Sequence, residues 1–437
     1  MNNEPSSNPF KRILSSLGPA IITASVVLGP GSILSASKIG HTYGYQMIWV
    51  LVIAVIMMIA MTALSARLGI QLEGTICEEL AKRAGRPIAA ATGIILFLIA
   101  ACFQFSNNLG ILAAVEPFIE DKSNVSIGII VGMNAFIIMA LYGFKHLYGL
   151  IEKLMKLLVA IMMIAFAINL FQVKPDWVAA ITGFIPSIPE GTFDTILPKW
   201  DASTKKVQDL MTPLVALYAT TFSVAGAFYQ SYLVRQKGWT RANLKQGLID
   251  STLGISVLGL ITMMVLITAA KVLYQNPDVT ALNSVSDVAK SLEPAFGKSA
   301  MVIFSLGIFA GAFSSFLVNA MIGGSILADG FGLGGYIDQK WPKLFTVLAL
   351  LVGMGVAIYT KSMGVKPVGL IIFAQSLTVL GIPMLAIAML WLATRADMKG
   401  VNSIPAWMKI LAFIGLISSV FLALRTAVNL LLPLING

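Results

Sequence analysis

Two short stretches break apolar runs with residues whose chemistry differs from that of an ordinary membrane helix. In SVVLGPGSILSAS, residues 25 to 37, Gly29-Pro30-Gly31 interrupts the run and Ser32 and Ser35 follow. In ATTFSVAGAFYQSYL, residues 219 to 233, Ser223, Ala225, Gly226 and Ala227 stand at the middle. Proline removes a backbone donor and clashes with the preceding turn, while glycine tolerates the unwound path that results. An unwound segment frees N–H and C=O groups, which at membrane depth must be satisfied by protein or by a water-filled cavity. The chemistry on offer is non-covalent capture of an ion or a small solute. The plainer alternative is a pair of packed kinks, since Gly and Pro are common in membrane helices.

The elements that must position these breaks follow from composition. The chain has 437 residues, 57% apolar and 11% charged, with a mean hydropathy of +0.86. That balance defines an integral membrane protein. Apolar runs of spanning length, about 20 residues each, centre near residues 28, 55, 100, 133, 162, 222, 259, 312, 351, 380 and 420, and the run from 87 to 115 exceeds one bilayer thickness. The net charge of +10 is strung between the runs, not clustered in a soluble domain, which excludes nucleic-acid binding. One set of loops holds Lys11, Arg12, Arg67, Lys82, Arg83, Arg86, Lys145, Lys153, Lys156, Arg235, Lys237, Arg241 and Lys245, and the opposite loops are acidic or mixed. Positive loops stay inside, so the N-terminus is expected in the cytoplasm and the C-terminal LLPLING at the outer face. The polar start ends in Lys11 and Arg12 and its apolar run has no small-residue cleavage site, so the first span is expected to be retained.

Other features have simple readings. Cys77 and Cys102 lack the spacing of a disulfide framework or a zinc site and read as buried small apolar residues. His41 and His146 stand apart, near span ends. Lys205 and Lys206 lie in the long outer loop and read as a solvated face. GLGG at 332 to 335 reads as a turn, because no strand precedes it. No nucleophile–base pair, Walker motif or cofactor fingerprint is present, which argues against an enzyme or an ATP-driven pump. Two discontinuous spans, first and sixth, at corresponding places of two five-helix halves point to a transporter's central site.

The sequence resembles the natural resistance-associated macrophage protein (Nramp) family of proton-coupled manganese and iron transporters over nearly its whole length. The matches are residues 148 to 177, with Tyr148, Glu152 and Lys153 at the start and Lys174-Pro175-Asp176-Trp177 at the end, and residues 307 to 331. Residues 373 to 392, including Gln375 and Pro383, the segments 17 to 22 and 65 to 70, and Asp250 also fit. The resemblance implies an all-α integral membrane protein of about eleven transmembrane helices. Its fold would be the leucine-transporter-type 5+5 inverted repeat with helices 1 and 6 broken. The expected organisation is one membrane domain, with repeats over 17–172 and 211–392 and an added helix over 405–433.

The resemblance also exposes what is missing. The family's first helix carries Asp-Pro-Gly-Asn at its break, where this chain reads Gly29-Pro30-Gly31-Ser32. The family's sixth helix carries Met-Pro-His, where Ser223, Val224 and Ala225 align. Acidic residues on the third helix's proton route align with Asn107 and Gly110. Of the acids in apolar runs, Glu73, Glu78 and Glu79 fall near a membrane end, and none reads as central. A divalent ion sheds water onto carboxylate, imidazole or thiolate ligands. Holding it at the bilayer midplane without them is among the costliest arrangements available.

The altered site favours an anionic group instead. Gly29, Pro30, Gly31 and Ser32 would present the N-terminus of a half-helix to a carboxylate. Ser223, Ala225 and Gly226 would leave room for the rest of the solute, walled by Phe228 or Tyr229. Asn107, Asn108 and Gln375 would supply neutral hydrogen bonds, each with interhelix packing as its alternative. The expected function is secondary active transport of a small solute such as an amino acid in a bacterial-type inner membrane, with no cofactor and a monomer plausible. Divalent-cation transport, of hydrated magnesium or of manganese or iron as in the family, and a non-transporting sensor remain open. Loss of the third-helix acids predicts weak or absent proton symport by that route, and sodium has no residue that demands it.

Overall fold

The structure, a computed structural model, describes residues 18–119, 123–143, 147–188, 196–204, 206–277, 282, 299–364 and 367–436. Lys11, Arg12, Lys145, His146 and Lys205 lie outside the described residues. The first span is a pair of helices, α1 (Pro19–Val27) and α2 (Pro30–Tyr43), followed by α3 (Ile48–Gln71), α4 (Ile76–Ala84) and α5 (Arg86–Val115). Next come α6 (Ser123–Gly143), α7 (Leu147–Val173) and the short α8 (Trp177–Thr182). A small antiparallel hairpin, β1 (Lys199–Asp201) and β2 (Lys206–Gln208), precedes the second broken pair, α9 (Thr212–Thr221) and α10 (Val224–Gln236). The remaining helices are α11 (Leu244–Leu273), α12 (Ser299–Gly330), α13 (Lys340–Ser362), α14 (Pro367–Leu377), α15 (Ile382–Thr394) and α16 (Ala406–Asn436).

Among the described residues, nine helices are long and apolar enough to cross a bilayer, and α1 with α2, bent by 54°, makes a tenth span. The pair α9 and α10, of 10 and 13 residues, occupies the place of the expected sixth span. Among the described residues, nine or ten of the eleven expected spans are thus long and apolar enough to cross. The third span runs over 33 residues, from Arg86 to Phe118, about 50 Å at 1.5 Å per residue, and so is longer than the hydrocarbon layer is thick. Large apolar side chains such as Leu98, Leu157, Phe171, Ile410 and Leu434 are exposed on its flanks and elsewhere around the bundle. Such a surface is stable only against lipid.

Each element has a local cause. The helix α4 starts at a capping box, with Thr75 Oγ1 accepting from Glu78 N–H and Glu78 reaching back to Thr75 N–H. The tenth span is interrupted too, which the apolar run conceals: a 3₁₀ turn, Thr378–Gly381, separates α14 from α15. Pro383 cannot donate to the carbonyl four residues earlier, so the α-helix cannot run through. Cys77 is buried as expected, but Cys102 is only partly so. GLGG follows α12 as a turn, with Gly332 and Gly334 at positive φ. At the face opposite the described N-terminus, buried Arg425 of α16 donates from Nε to Ile196 O (2.6 Å) and pairs with Asp209. This anchors the last span to the segment entering α9.

Candidate functional site

The two breaks have the same local geometry. Leu28, after α1, has φ −77° and ψ 48°, and Phe222, after α9, has φ −87° and ψ 59°. Each residue leaves the helical path at the same backbone turn. Gly29 then returns to an extended conformation (φ −89°, ψ 176°) and caps α2, whose first residue is Pro30. Ser223 caps α10, its Oγ accepting from Gly226 N–H at 3.4 Å.

The carbonyls freed by the first break are claimed by hydroxyls. Ser32 Oγ donates toward Val27 O (2.7 Å) and Gly29 O (2.9 Å). Ser315 Oγ of α12 donates to Val26 O at 3.1 Å, and Asn319 Nδ2 lies 3.4 Å from the same oxygen. The Ser32 hydroxyl is therefore committed to the break itself. What Ser32 and Gly31 retain for a ligand is their backbone N–H in the first turn of α2.

Two neutral amides meet the other side of the break. A Cβ placed on Gly29 would lie 2.8 Å from Ser315 Oγ and 3.4 Å from Asn107 Oδ1, which puts Asn107 of α5 against Gly29. A Cβ on Gly31 would overlap the Gln375 side chain of α14, and one on Gly110 would overlap the Pro30 ring. Asn107 and Gln375 are 0% and 1% exposed. Neither atom of either amide has a hydrogen-bond partner in the protein. Nearly all buried polar groups in folded proteins are paired, so four orphan atoms around one helix break need an explanation. Asn108 is different: it donates to Gln104 O and accepts from Asn134 Nδ2, which makes it glue between α5 and α6.

The second break contributes less open space than its small residues suggest. Gly226 faces Thr23 and Val26 of α1, each 3.5 Å from where its Cβ would stand. Ala225, Phe228 and Tyr229 are buried, and Phe228 and Tyr229 both stack on Tyr232. The structure thus gathers Gly29, Pro30, Gly31, Ser32, Asn107 and Gln375, all buried, and packs Gly226 against α1. Ser315 and Asn319 were not singled out from the sequence, although their i, i+4 spacing on one helix face is a usable signal. The buried acids Asp250 and Asp329 lie elsewhere, and among the described residues no group of three or more His, Cys, Asp or Glu side chains is placed to hold a metal ion.

Paired broken helices around a closed polar centre define a multi-pass membrane transporter of the leucine-transporter fold class. The family model "Natural resistance-associated macrophage protein-like" matches residues 20–429. The chain belongs to that family. It is 24% identical over 390 residues to a divalent metal cation transporter MntH of Deinococcus radiodurans, covering 89% of this chain and 84% of the relative. It is 26% identical over 395 residues to the MntH of Caldanaerobacter subterraneus subsp. tengcongensis, covering 88% and 86%. The crystal structure of the Eremococcus coleocola manganese transporter superimposes with a TM-score of 0.76 at 16% identity, over 98% of this chain and 88% of that one. MhsT, crystallised with L-phenylalanine, shares the fold with a TM-score of 0.59 at 13% identity, over 97% of this chain and 100% of its own.

Proposed function

We propose that this protein is a secondary active transporter working by alternating access, whose central site takes a small organic solute bearing a carboxylate, such as an amino acid. The observation that carries this reading is the pair of buried amides, Asn107 and Gln375, without protein partners against Gly29 and Gly31. The N–H groups of Gly31 and Ser32 at the positive end of α2 receive the carboxylate. The two amides bond the remaining polar groups, and Ser223, Ala225 and Gly226 line the far side once α1 and α10 separate. Every side chain named here is neutral, so a bare divalent ion would have no carboxylate, imidazole or thioether to replace its water. The family's transition-metal site is lost in this reading, and with it the proton route of the third span.

The proposed setting is a bacterial inner membrane with the N-terminus cytoplasmic, as the Lys and Arg distribution favours. Residues 17–172 and 211–392 form the two repeats and 405–433 the added span. A second reading, divalent-cation transport with the ion largely hydrated, is favoured by the names of the MntH relatives. Liposomes carrying the protein and a trapped metal-sensitive dye separate the two. No entry of manganese or magnesium above protein-free liposomes is expected, and saturable entry of either would establish the second reading.

A further inference from the structure

The half-helices α1 and α10 are fastened at the N-terminal face by two buried carboxylates that the central site does not use. The start of α1 has no cap of its own. Gly18 has no side chain and Pro19 no N–H, which leaves the Gly18 and Ala20 amides as unpaired donors of the first turn. Asp250 of α11 supplies the cap from 230 residues away: Gly18 N–H donates to Oδ1 at 2.6 Å and Ala20 N–H to Oδ2 at 2.9 Å. Glycine makes this approach possible, because a Cβ on Gly254 would lie 2.9 Å from Ala20 Cβ. The carboxylate also meets the positive end of the α1 dipole.

Gln230 extends this fastening to α10. Its Oε1 accepts from Thr23 of α1 at 2.7 Å, and its Nε2 lies 3.4 Å from Asp250 Oδ2. Among the described residues no cation forms an ion pair with Asp250. The nearby Lys237 Nζ, 2.9 Å from where a Gly18 Cβ would stand, is engaged by Glu152 at 3.0 and 3.1 Å. On its other side α10 is held more tightly. Tyr232 OH and Thr75 Oγ1 each donate to Asp329 Oδ2 at 2.6 Å, and Arg86 Nη1 holds the Asp329 carbonyl at 3.2 Å. So at this face α10 is bound to α12 through Tyr232 and Asp329, with Thr75 on the same oxygen, whereas the start of α1 is held through the Gly18 and Ala20 amides and the Gln230 bridge.

We propose that Asp250 is the positioning residue of a gate at the N-terminal face: it caps α1 in the closed conformation, and that face opens when α1 leaves the carboxylate while Tyr232 keeps α10 on Asp329. The inference rests on the alternating-access reading but on no particular solute. Its test needs none, so it fails independently of the carboxylate-solute proposal. Hydrogen exchange is measured by mass spectrometry on the full chain in nanodiscs, together with labelling of a Ser25→Cys variant by a membrane-impermeant maleimide. In Asp250→Asn, exchange of residues 18–27 and labelling at position 25 are expected to rise at least about tenfold, the factor worth one charge-assisted hydrogen bond. Exchange in α10 should hardly change, and Asp250→Glu should restore part of the protection. Gln230→Met, which removes only the bridge, should give a smaller rise at the same residues and carries the test if Asp250→Asn does not fold. Unchanged exchange at 18–27 in a folded variant, or a rise that spreads equally through α10 and α11, would overturn the assignment.

Discussion

At the break, Asn107 and Gln375 are buried with no amide atom bonded to the protein, while toward the N-terminal face Asp250 and Asp329 are buried with each carboxylate accepting at least two hydrogen bonds. The first pair are neutral groups and the second are acids, so the more expensive groups to bury are the ones that are satisfied. A buried polar group left unpaired costs about 1–3 kcal/mol. Gln71 and Asn169 also have both amide atoms unpaired, but only Asn107 and Gln375 stand against the glycines of the first break, and the two carboxylates are used to fasten helices together. In the proposed reading, the difference separates residues for binding from residues for closure.

Substitutions should split along the same line, in sign as well as size. The largest effect is expected from Asp329→Ala, which strands the Tyr232 and Thr75 hydroxyls in the interior and removes two charge-assisted hydrogen bonds. A loss of about 3 kcal/mol would make it the variant with the greatest fall in melting temperature. Asn107→Leu and Gln375→Leu should act in the opposite direction. Replacing an unpaired amide with an apolar group of similar size relieves up to about 1–2 kcal/mol, so each variant should melt at or above the wild type while losing stabilisation by solute. If either melts as low as Asp329→Ala, the amides are structural and the comparison fails.

The smallest effect concerns Glu79 in α4. Burial pushes its carboxyl up, but hydrogen bonds from Arg83 and Lys82 outweigh this and hold it below its ordinary value of 4.5. A depressed carboxylate stabilises the fold above that ordinary value, and the contribution disappears as pH falls through the lowered one. The gap in melting temperature between wild type and Glu79→Gln should reflect about 1 kcal/mol or less at neutral pH and close as pH drops below 4.5. A gap independent of pH would show that the ion pairs contribute nothing.

Much of the architecture was legible because a bilayer imposes simple rules. Apolar runs located the spans, and Gly29-Pro30-Gly31 located the first break without any tertiary information. The second break was legible as a cluster of small residues, but its closed packing against Thr23 and Val26 was not, since side-chain spacing within one helix does not report its neighbour. The break in the tenth span was hidden because Thr378, Val379 and Leu380 are as apolar on average as a helix, and only Pro383 marks it. Ser32 illustrates a different limit. Sequence spacing does not show where its hydroxyl goes, and the geometry turns it back onto the carbonyls freed three and five residues earlier. Asp250 and Asp329 stayed unread as fasteners because their partners, Gly18 and Thr75, lie 232 and 254 residues away.

The most direct test of the central claim is ligand-dependent thermal stabilisation of the purified protein, screened with amino acids, other small carboxylates, manganese and magnesium. A ligand that binds only the folded state must raise its apparent stability. A carboxylate-bearing solute is expected to raise the melting temperature and the metals are not. Gly29→Asp, which sets a negative charge beside Asn107 and Ser315, should abolish the solute's effect. Stabilisation by manganese or magnesium alone, with no response to any carboxylate, would contradict the account.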